Sequence, residues 1–448
     1  MRLPDSALRW LEMILLERFG FAVRLQYVDD DRVKLLLPGL AGGVVFPAHQ
    51  DFFIGGASDG IPFAWQTDTV ADLASPVGTV IPMPGELASH SSLISEEGQF
   101  LYFDYDLFGM IYWALARVEE LAPASLDAHG RFPAAESHAV KHGYLDRPVV
   151  DEWLHVLAEL LKRKWPQLSF SKREFRTLVS HDVDHPTRYG FLSAKAFVRR
   201  LAADFLRSKD YRLPGVALQS WLATPQRLHA ADPFNCFDWI MDVSDENGLK
   251  SAFYFVTSGS HPLDGRYPVD SAAVRGLIRR VAERGHEIGL HPSYLTYDNP
   301  ELLISEAERL KRLCQEMGIS QDRFGGRMHF LRWEWPATLR AWDSAGMAYD
   351  STLGYAAAPG FRCGTCIEYP AYDPVRAEML AIRIRPLVVM ETSIFKYMDL
   401  GADEQAYSLV TKLKDVCRKL NGDFVFLWHN SAFVADSQRD LYRALLRH

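Results

Sequence analysis

Cysteine is scarce in this chain, which has five cysteines among 448 residues. An odd and sparse set in a chain of this length does not form a disulfide framework and indicates a reducing compartment. Cys363 and Cys366 form a lone CxxC pair. A zinc site built on cysteine needs a second pair or suitably spaced histidines, and none follow. The βαβ context of a redox pair is also missing. The cysteines therefore favour neither a disulfide-rich fold nor a cysteine metal site.

Long apolar runs and excess positive charge are also lacking. No stretch approaches eighteen apolar residues, so no membrane span is predicted. The first twenty residues contain Asp5, Glu12 and Glu17, which predicts an amphipathic helix and not a signal peptide. The net charge is −8 and the pI about 6.0, which argues against nucleic acid or an anionic membrane surface as the main partner. These features predict a cytoplasmic protein and leave the oligomeric state open.

The order of predicted elements divides the chain into two parts. Residues 1–170 combine short strand-like segments with helices, which predicts a smaller α+β domain. The polar stretch 169–176 is the expected boundary. In residues 171–448 strands alternate with helices, apart from a helical insertion near 191–224. This alternation predicts an α/β domain with parallel strands and right-handed crossovers.

Two carboxylates close the first strand of the second part. Residues 177–183 form a predicted buried strand, and Asp182 and Asp184 are two positions apart, so they project from the same face. Carboxylates placed in this way repel each other unless a cation or a proton lies between them. An Asx-type turn that caps the strand is the structural alternative. The pair is therefore a candidate metal or acid–base site.

Further potential ligands and acid–base groups lie at or near the ends of three other predicted strands. They are His291 on one strand, Arg327 with His329 on another, and His429 on the last. Functional residues gather at the carboxyl ends of parallel strands. Arg327 and His329 are two positions apart, so a shared strand face is predicted to bring His329 into the same site. His286 faces the opposite way from His291 and is interpreted as structural.

These motifs resemble those of the polysaccharide deacetylase family, the NodB-homology domain of metal-dependent carbohydrate esterases. The resemblance covers roughly residues 175–435 and implies a distorted (β/α) barrel of the NodB-homology type, preceded here by the smaller α+β domain. That first domain resembles the accessory domain of bacterial surface-polysaccharide proteins. The segments that carry the family resemblance are Ser180-His-Asp-Val-Asp184, Gly285-His-Glu-Ile-Gly-Leu-His291, Arg327 and Leu427-Trp-His429.

The resemblance implies a role for each matching residue. Asp182 would be the catalytic base, and Arg327 would be the arginine that orients it. Asp184 and His291 would be metal ligands. His429 would be the general acid that protonates the leaving group.

The chain departs from the family pattern at Leu295. The family usually has a second histidine four residues after the first, and leucine occupies that position here. His329, His185 and Glu391 are the possible substitutes as third metal ligand. His329 is favoured, and a purely structural role for His329 stays open as the alternative.

The implied activity is the hydrolysis of a linear amide with the help of one divalent metal ion. Histidine and carboxylate ligands favour zinc. The implied substrate is an N-acylated amino sugar, as a carbohydrate or a nucleotide-sugar. Arg362 is interpreted as a solvated loop arginine, with contact to a substrate phosphate as the alternative. Two other functions stay open, namely an amidase for a small non-sugar amide and a non-catalytic carbohydrate-binding or assembly protein.

Overall fold

The computed structural model describes residues 2–48, 63–66, 75–78, 80–85, 93–123, 125–259 and 261–447. Within these residues the architecture is mixed α/β. The strands form a nine-stranded sheet, a five-stranded sheet and a separate two-stranded pair.

In its described residues, the amino-terminal part contains the five-stranded sheet, the two-stranded pair and four α-helices. The predicted amphipathic helix is confirmed: it begins at Asp5, buries one apolar face and ends at Phe19. The residue that follows, Gly20, caps it with a φ of 82°, which suits glycine. The elements are α1 Asp5–Phe19, β1 Arg24–Tyr27, β2 Arg32–Leu36, β3 Gly43–Pro47, β4 Phe63–Gln66, β5 Ile81–Pro84, β6 Ile94–Glu97, β7 Phe100–Phe103, α2 Leu107–Leu115, α3 His138–Lys141 and α4 Val149–Lys164.

The second part alternates strands and helices as the sequence predicts. Several of its helices begin at a residue whose side chain accepts a backbone N–H of the first turn, such as Ser271 and Asp403. The elements are β8 Arg176–Val183, α5 Ala194–Ser208, α6 Leu213–Ala223, α7 Phe237–Glu246, β9 Ala252–Phe255, α8 Ala272–Glu283, β10 Glu287–Leu290, α9 Pro300–Glu316, β11 Gly325–Gly326, α10 Ala337–Ser344, β12 Tyr349–Asp350, β13 Tyr369–Asp373, β14 Glu378–Ile384, β15 Val389–Met390, α11 Glu404–Lys419, β16 Asp423–Leu427 and α12 Asp436–Leu446.

The nine-stranded sheet has the strand order β13-β14-β12-β11-β10-β9-β8-β16-β15. Its paired strands are parallel except for β13, which runs antiparallel to β14 at one end. The carboxyl ends of β8, β10, β11 and β16 therefore lie at one edge of the sheet. This edge carries the polar residues that the sequence singles out.

Two predicted elements differ in the structure. The helical insertion is two helices, α5 and α6, and not one continuous helix. The predicted strand that carries Arg327 and His329 is only the two residues of β11. Both are glycines at a crowded position, because a Cβ on Gly325 would lie 2.1 Å from the ring of Tyr349 and one on Gly326 would lie 2.0 Å from the carbonyl oxygen of Leu290. Glycine therefore permits this strand to pack between its neighbours.

One continuous hydrophobic core joins the two parts of the chain. It contains apolar residues of α1, α2 and α4 together with residues of the nine-stranded sheet and its helices. Trp10 of α1 also donates a hydrogen bond from Nε1 to the carbonyl oxygen of Pro370, at 2.8 Å. The division near residue 170 stays a prediction. Among the described helices, none combines the length and apolar character needed to cross a bilayer.

Candidate metal centre

Asp184, His291 and His329 bring their side chains together at the carboxyl edge of the sheet. Asp184 follows β8, His291 follows β10, and His329 opens a short 3₁₀ turn after β11. One potential ligand atom from each residue lies within 4.8 Å of those of the other two. Asp184 Oδ1 is 3.1 Å from His291 Nε2 and 3.4 Å from His329 Nε2. A carboxylate and two imidazoles are a donor set that suits a divalent cation such as zinc.

The hydrogen bonds of the two histidines leave their Nε2 atoms free to act as ligands. His291 Nδ1 lies 2.7 Å from the carbonyl oxygen of Arg327, and His329 Nδ1 lies 3.1 Å from Asp264 Oδ1. Both partners are acceptors, so each Nδ1 carries the proton and each Nε2 can offer a lone pair. Partners of this kind orient metal-bound histidines.

Two atoms of this cluster are buried polar atoms without a hydrogen-bond partner. They are Asp184 Oδ1 and His291 Nε2. These two atoms lie 3.1 Å apart but do not have the geometry of a hydrogen bond. Burial alone would raise the pKa of Asp184, but His329 and His291 outweigh it and lower that pKa below its ordinary value. The residues present therefore fit a divalent cation, since orphaned buried donors and acceptors are costly without a partner.

Asp182 is held beside this cluster by Arg327, whose guanidinium is fully buried. Arg327 donates to Asp182 Oδ1 at 2.9 Å and to Ser180 Oγ at 2.9 Å. Its other nitrogens donate to the backbone carbonyl and the hydroxyl of Ser351. Asp182 Oδ2 points toward the cluster, 3.9 Å from His291 Nδ1. The arginine therefore fixes the orientation of one carboxylate while the second oxygen faces the centre.

His429 faces the cluster from the end of β16 and forms a pair with Glu391. Its Nδ1 lies 2.7 Å from Glu391 Oε1, and its Nε2 lies 3.7 Å from Asp184 Oδ2. Burial would lower the pKa of His429, but the carboxylates of Glu391 and Asp184 outweigh it and raise the pKa to about 10. His429 can therefore hold a proton on Nε2 at the mouth of the site.

These groups surround a cavity of about 250 Å³. The cavity is lined by Asp182, the cluster residues and His429, and also by the aromatic rings of Phe330 and Tyr397. The amino-terminal part contributes Arg131 to the same cavity. Arg131 is buried and donates to the carbonyl oxygen of Phe330 at 2.8 Å and to the hydroxyl of Tyr397 at 3.2 Å.

His329 lies in the cluster because a turn carries it there, and the sequence does not predict this turn. The prediction that it shares a strand face with Arg327 is wrong, because β11 ends at Gly326 and residues 329–331 form a 3₁₀ turn. Phe330 and Leu331 have φ values of 60° and 55°, which bulky residues seldom adopt. Such backbone strain is concentrated at functional sites.

The other candidates for the third ligand lie elsewhere. His185 is exposed and lines a neighbouring cavity with Arg188 and Arg199. Glu391 makes its short contact with His429 and is not part of the three-residue cluster. Leu295, at the position of the usual histidine, is exposed. His286 accepts a hydrogen bond from the backbone N–H of Ser251, which agrees with a structural role.

Asp264 and Arg131 are site residues that sequence reasoning missed. Asp264 is buried, and its carboxylate accepts the backbone N–H groups of Tyr294 and His261 as well as the Nδ1 proton of His329. Both residues come from loops far along the chain from their partners. No strand or helix period connects them to the site, so the sequence carries no local signal for either.

Comparison with known proteins gives limited matches. Residues 46–166 match a family of unknown function, DUF7033. No curated protein matches the chain. Among solved structures, the chain is similar to one described as "Crystal structure of putative polysaccharide deacetylase from Mycobacterium smegmatis". That likeness has 14% sequence identity and a TM-score of 0.40, and covers 62% of this chain and 85% of the other. A likeness of this size carries no argument about the family of this chain, and the resemblance over residues 175–435 stays a prediction.

Proposed function

We propose that this protein is a metal-dependent hydrolase that removes an acyl group from the amide nitrogen of an amino sugar. The observation that carries the proposal is the meeting of three kinds of group around one cavity: an oriented carboxylate, a cluster of metal-type ligands and a histidine paired with a carboxylate. These groups are Asp182 with Arg327, then Asp184 with His291 and His329, and finally His429 with Glu391. A binding protein would have no need for all three.

Asp184, His291 and His329 are the residues that would hold the divalent ion, and zinc suits them best. When bound, such an ion lowers the pKa of a water molecule and stabilises negative charge on an acyl oxygen. Asp264 and the carbonyl of Arg327 keep the two imidazoles in the tautomer that can bind it.

The remaining residues move and hold protons. Asp182 Oδ2 accepts the proton of the attacking water, while Arg327 holds Asp182 Oδ1 and so fixes the side chain. His429 Nε2 donates a proton to the departing nitrogen, because an amide nitrogen is a poor leaving group without one. Glu391 keeps the proton of His429 Nδ1 in place, so that Nε2 is the atom that faces the substrate.

The barrel, the substrate class and the location belong to the same proposal. Closure of the nine-stranded sheet into a distorted barrel is supported by residues 385–388, which connect β14 to β15. Their backbone N–H groups bond to Asp350 and Leu353 on one side and to Val425 on the other. The proposed substrate is an N-acylated carbohydrate or nucleotide-sugar. It would be a precursor of a surface polysaccharide that the protein encounters in the cytoplasm.

The proposal is tested with Asp182→Asn and His291→Ala. Asp182→Asn keeps the shape of the side chain and removes the proton acceptor, so turnover is expected to fall by roughly a hundredfold or more, the scale of general base catalysis. Its metal content is expected to stay unchanged. His291→Ala is expected to lose the metal. The measurements are acetate or formate release from N-acylated amino sugars and nucleotide-sugars, and elemental analysis of the purified protein.

Asp270→Asn is the matched control, since Asp270 is an exposed aspartate paired with Arg309. It is expected to keep both metal and turnover. If no acyl compound is hydrolysed with any divalent ion, and glycans nevertheless bind, the protein is a non-catalytic carbohydrate-binding protein. Unchanged metal content in His291→Ala would remove His291 from the site.

A further inference from the structure

Exposed apolar side chains are concentrated in the α5–α6 hairpin (residues 191–224). Five large apolar side chains of this hairpin face solvent: Val198 at 62%, Leu206 at 75%, Tyr211 at 87%, Leu218 at 46% and Leu222 at 67% exposure. Tyr211 is the most exposed large apolar residue in the described part of the chain. Single exposed apolar residues are ordinary, but a group of them on one short segment marks an interaction surface.

The exposed apolar residues form a stripe on each helix. Val198, Ala202 and Leu206 are spaced by four along α5 and are exposed. Leu218 and Leu222 have the same spacing on α6. The hairpin packs through other positions, which form a small core of their own.

That small core is separate from the main hydrophobic core of the molecule. It contains Tyr189, Phe197 and Ala217, with Trp221 stacked on Phe197 at a ring distance of 4.9 Å. The stripes are therefore not used in folding the hairpin, and they remain available to a partner.

The same hairpin is basic although the whole chain is acidic. It has six basic and two acidic side chains, a net charge of +4, whereas the whole chain has −8. Both acidic residues lie in or next to α5, and Asp204 is neutralised by Arg188. Within the described residues, no ion pair joins any of the six basic side chains to a carboxylate. The six are Lys195, Arg199, Arg200, Arg207, Lys209 and Arg212.

The basic face of α5 borders the candidate metal centre. Arg199 and Arg200 line a cavity of about 450 Å³ together with His185 and Asp264. His185 directly follows Asp184 in the chain, and Asp264 accepts the proton of His329 Nδ1. A partner that binds α5 therefore lies next to the proposed catalytic centre.

We propose that the α5–α6 hairpin docks on a lipid bilayer that contains anionic phospholipids. Amphipathic helices with apolar residues on one face and basic residues beside them lie in the plane of a membrane interface. The apolar stripes enter the acyl boundary, and the arginines and lysines contact headgroup phosphates. Charge complementarity favours this partner over a second copy of the hairpin, because two surfaces of charge +4 repel each other.

Co-sedimentation of the full-length protein with lipid vesicles tests the proposal. The vesicles consist of phosphatidylcholine alone or of phosphatidylcholine mixed with phosphatidylglycerol. The protein is expected to pellet with the mixed vesicles and not with phosphatidylcholine alone, and high salt is expected to release it. The assay contains no saccharide and no added metal, so its outcome is independent of the proposed hydrolysis.

The variant with Val198, Leu206 and Leu222 all changed to serine is expected to lower vesicle binding by about tenfold or more, since each removes apolar area from the interface. The matched control changes Leu126, Val375 and Val434 to serine. These three have 55%, 61% and 60% exposure and lie outside the hairpin. The control is expected to bind vesicles as the unmodified protein does.

Three outcomes would overturn the proposal. They are no pelleting with anionic vesicles, equal pelleting with both kinds of vesicle, and equal loss of binding in the hairpin variant and the control. A dimer in light scattering that the hairpin variant abolishes would assign the stripes to a second copy of the chain. Circular dichroism of each variant verifies that its helix content matches that of the unmodified protein.

Discussion

His181 shows how one strand residue can be buried and uncharged beside a polar site. It lies next to Asp182 in β8 but projects from the opposite face, with its ring stacked on Phe253. Its Nδ1 donates to the carbonyl oxygen of Trp428 at 2.7 Å, and its Nε2 accepts from the hydroxyl of Tyr442 at 3.3 Å. Burial lowers the pKa of His181 to about 3, and the hydrogen bond to Trp428 opposes this only in part.

The low pKa of His181 predicts a loss of stability in acid. Between pH 6.5 and about 3 the unfolded chain binds a proton at this histidine that the folded chain does not, so the free energy of unfolding falls as the pH falls. The contribution is on the order of several kcal/mol across that window. His181→Asn is expected to flatten this part of the stability profile, measured by urea unfolding at a series of pH values.

The control for this prediction is His229→Asn, which changes a histidine in a loop. It is expected to leave the acid slope of the profile unchanged. An equally steep slope in His181→Asn would show that other groups govern the acid response of the fold.

At the same scale, the sequence predicts some site residues and misses others for a physical reason. Asp182, Asp184 and His291 are at the ends of strands whose period of two is visible in the sequence. Asp264 and Arg131 act through loops, whose conformation depends on contacts with distant segments. The sequence favours His329 as third ligand through an incorrect strand assignment, yet its side chain lies in the cluster.

At the scale of elements, the turn at residues 329–331 determines where His329 points. The turn contains two non-glycine residues with positive φ, Phe330 and Leu331. The backbone carbonyl oxygen of Phe330 accepts a hydrogen bond from Arg131. Arg131 is in turn held by Asp127 at 2.7 Å within its own loop. A loop of the amino-terminal part therefore stabilises the strained turn that carries a candidate metal ligand.

Arg131→Met is expected to weaken metal binding by roughly tenfold, the lower end of the range for groups that orient a ligand. The substitution removes the hydrogen bond to Phe330 and leaves the apolar stem of the side chain. Competition with a zinc chelator measures the affinity. Arg32→Met is the matched control, because Arg32 pairs with Asp29 on the exposed surface. Equal zinc affinity in both variants would show that Arg131 does not position His329.

The strand and helix order of the second part was predictable, whereas the details of single elements were not. Alternation of apolar strands with amphipathic helices is a local pattern, and it predicted parallel pairing. The close packing of β11 between its neighbours depends on the fit of Gly325 against Tyr349 and of Gly326 against Leu290. These close contacts join residues that are far apart in the chain, so no local sequence pattern predicts them.

At the scale of the whole molecule, a buried ionic network joins the two parts of the chain. Glu120 accepts from Arg362 at 2.9 and 2.6 Å and from Arg117 at 2.9 Å. All three residues are buried, so the interpretation of Arg362 as a solvated loop arginine, or as a contact for a substrate phosphate, is wrong. Burial would raise the pKa of Glu120, but Arg362 and Arg117 outweigh it and lower the pKa to about 2.

Glu120→Ala is expected to destabilise the whole molecule by roughly 3–5 kcal/mol, because it leaves the buried guanidinium of Arg362 without its carboxylate and leaves Arg117 with Glu119 alone. The continuous core predicts that both parts unfold in one transition. Urea unfolding followed by circular dichroism and by tryptophan fluorescence measures both quantities. Glu159→Ala is the matched control, since Glu159 forms a more exposed pair with Lys162 and its loss is expected to cost less than about 1 kcal/mol.

Two results would contradict the prediction that the buried ionic network and the shared core join the two parts of the chain. A change in Glu120→Ala as small as in the control would mean that Arg117 and Arg362 find other partners or water. Separate transitions for the two optical probes would mean that the amino-terminal part unfolds independently, despite the shared core. In that case Arg131 would leave the candidate metal centre before the nine-stranded sheet unfolds, and zinc affinity would fall at urea concentrations where most of the circular dichroism signal persists.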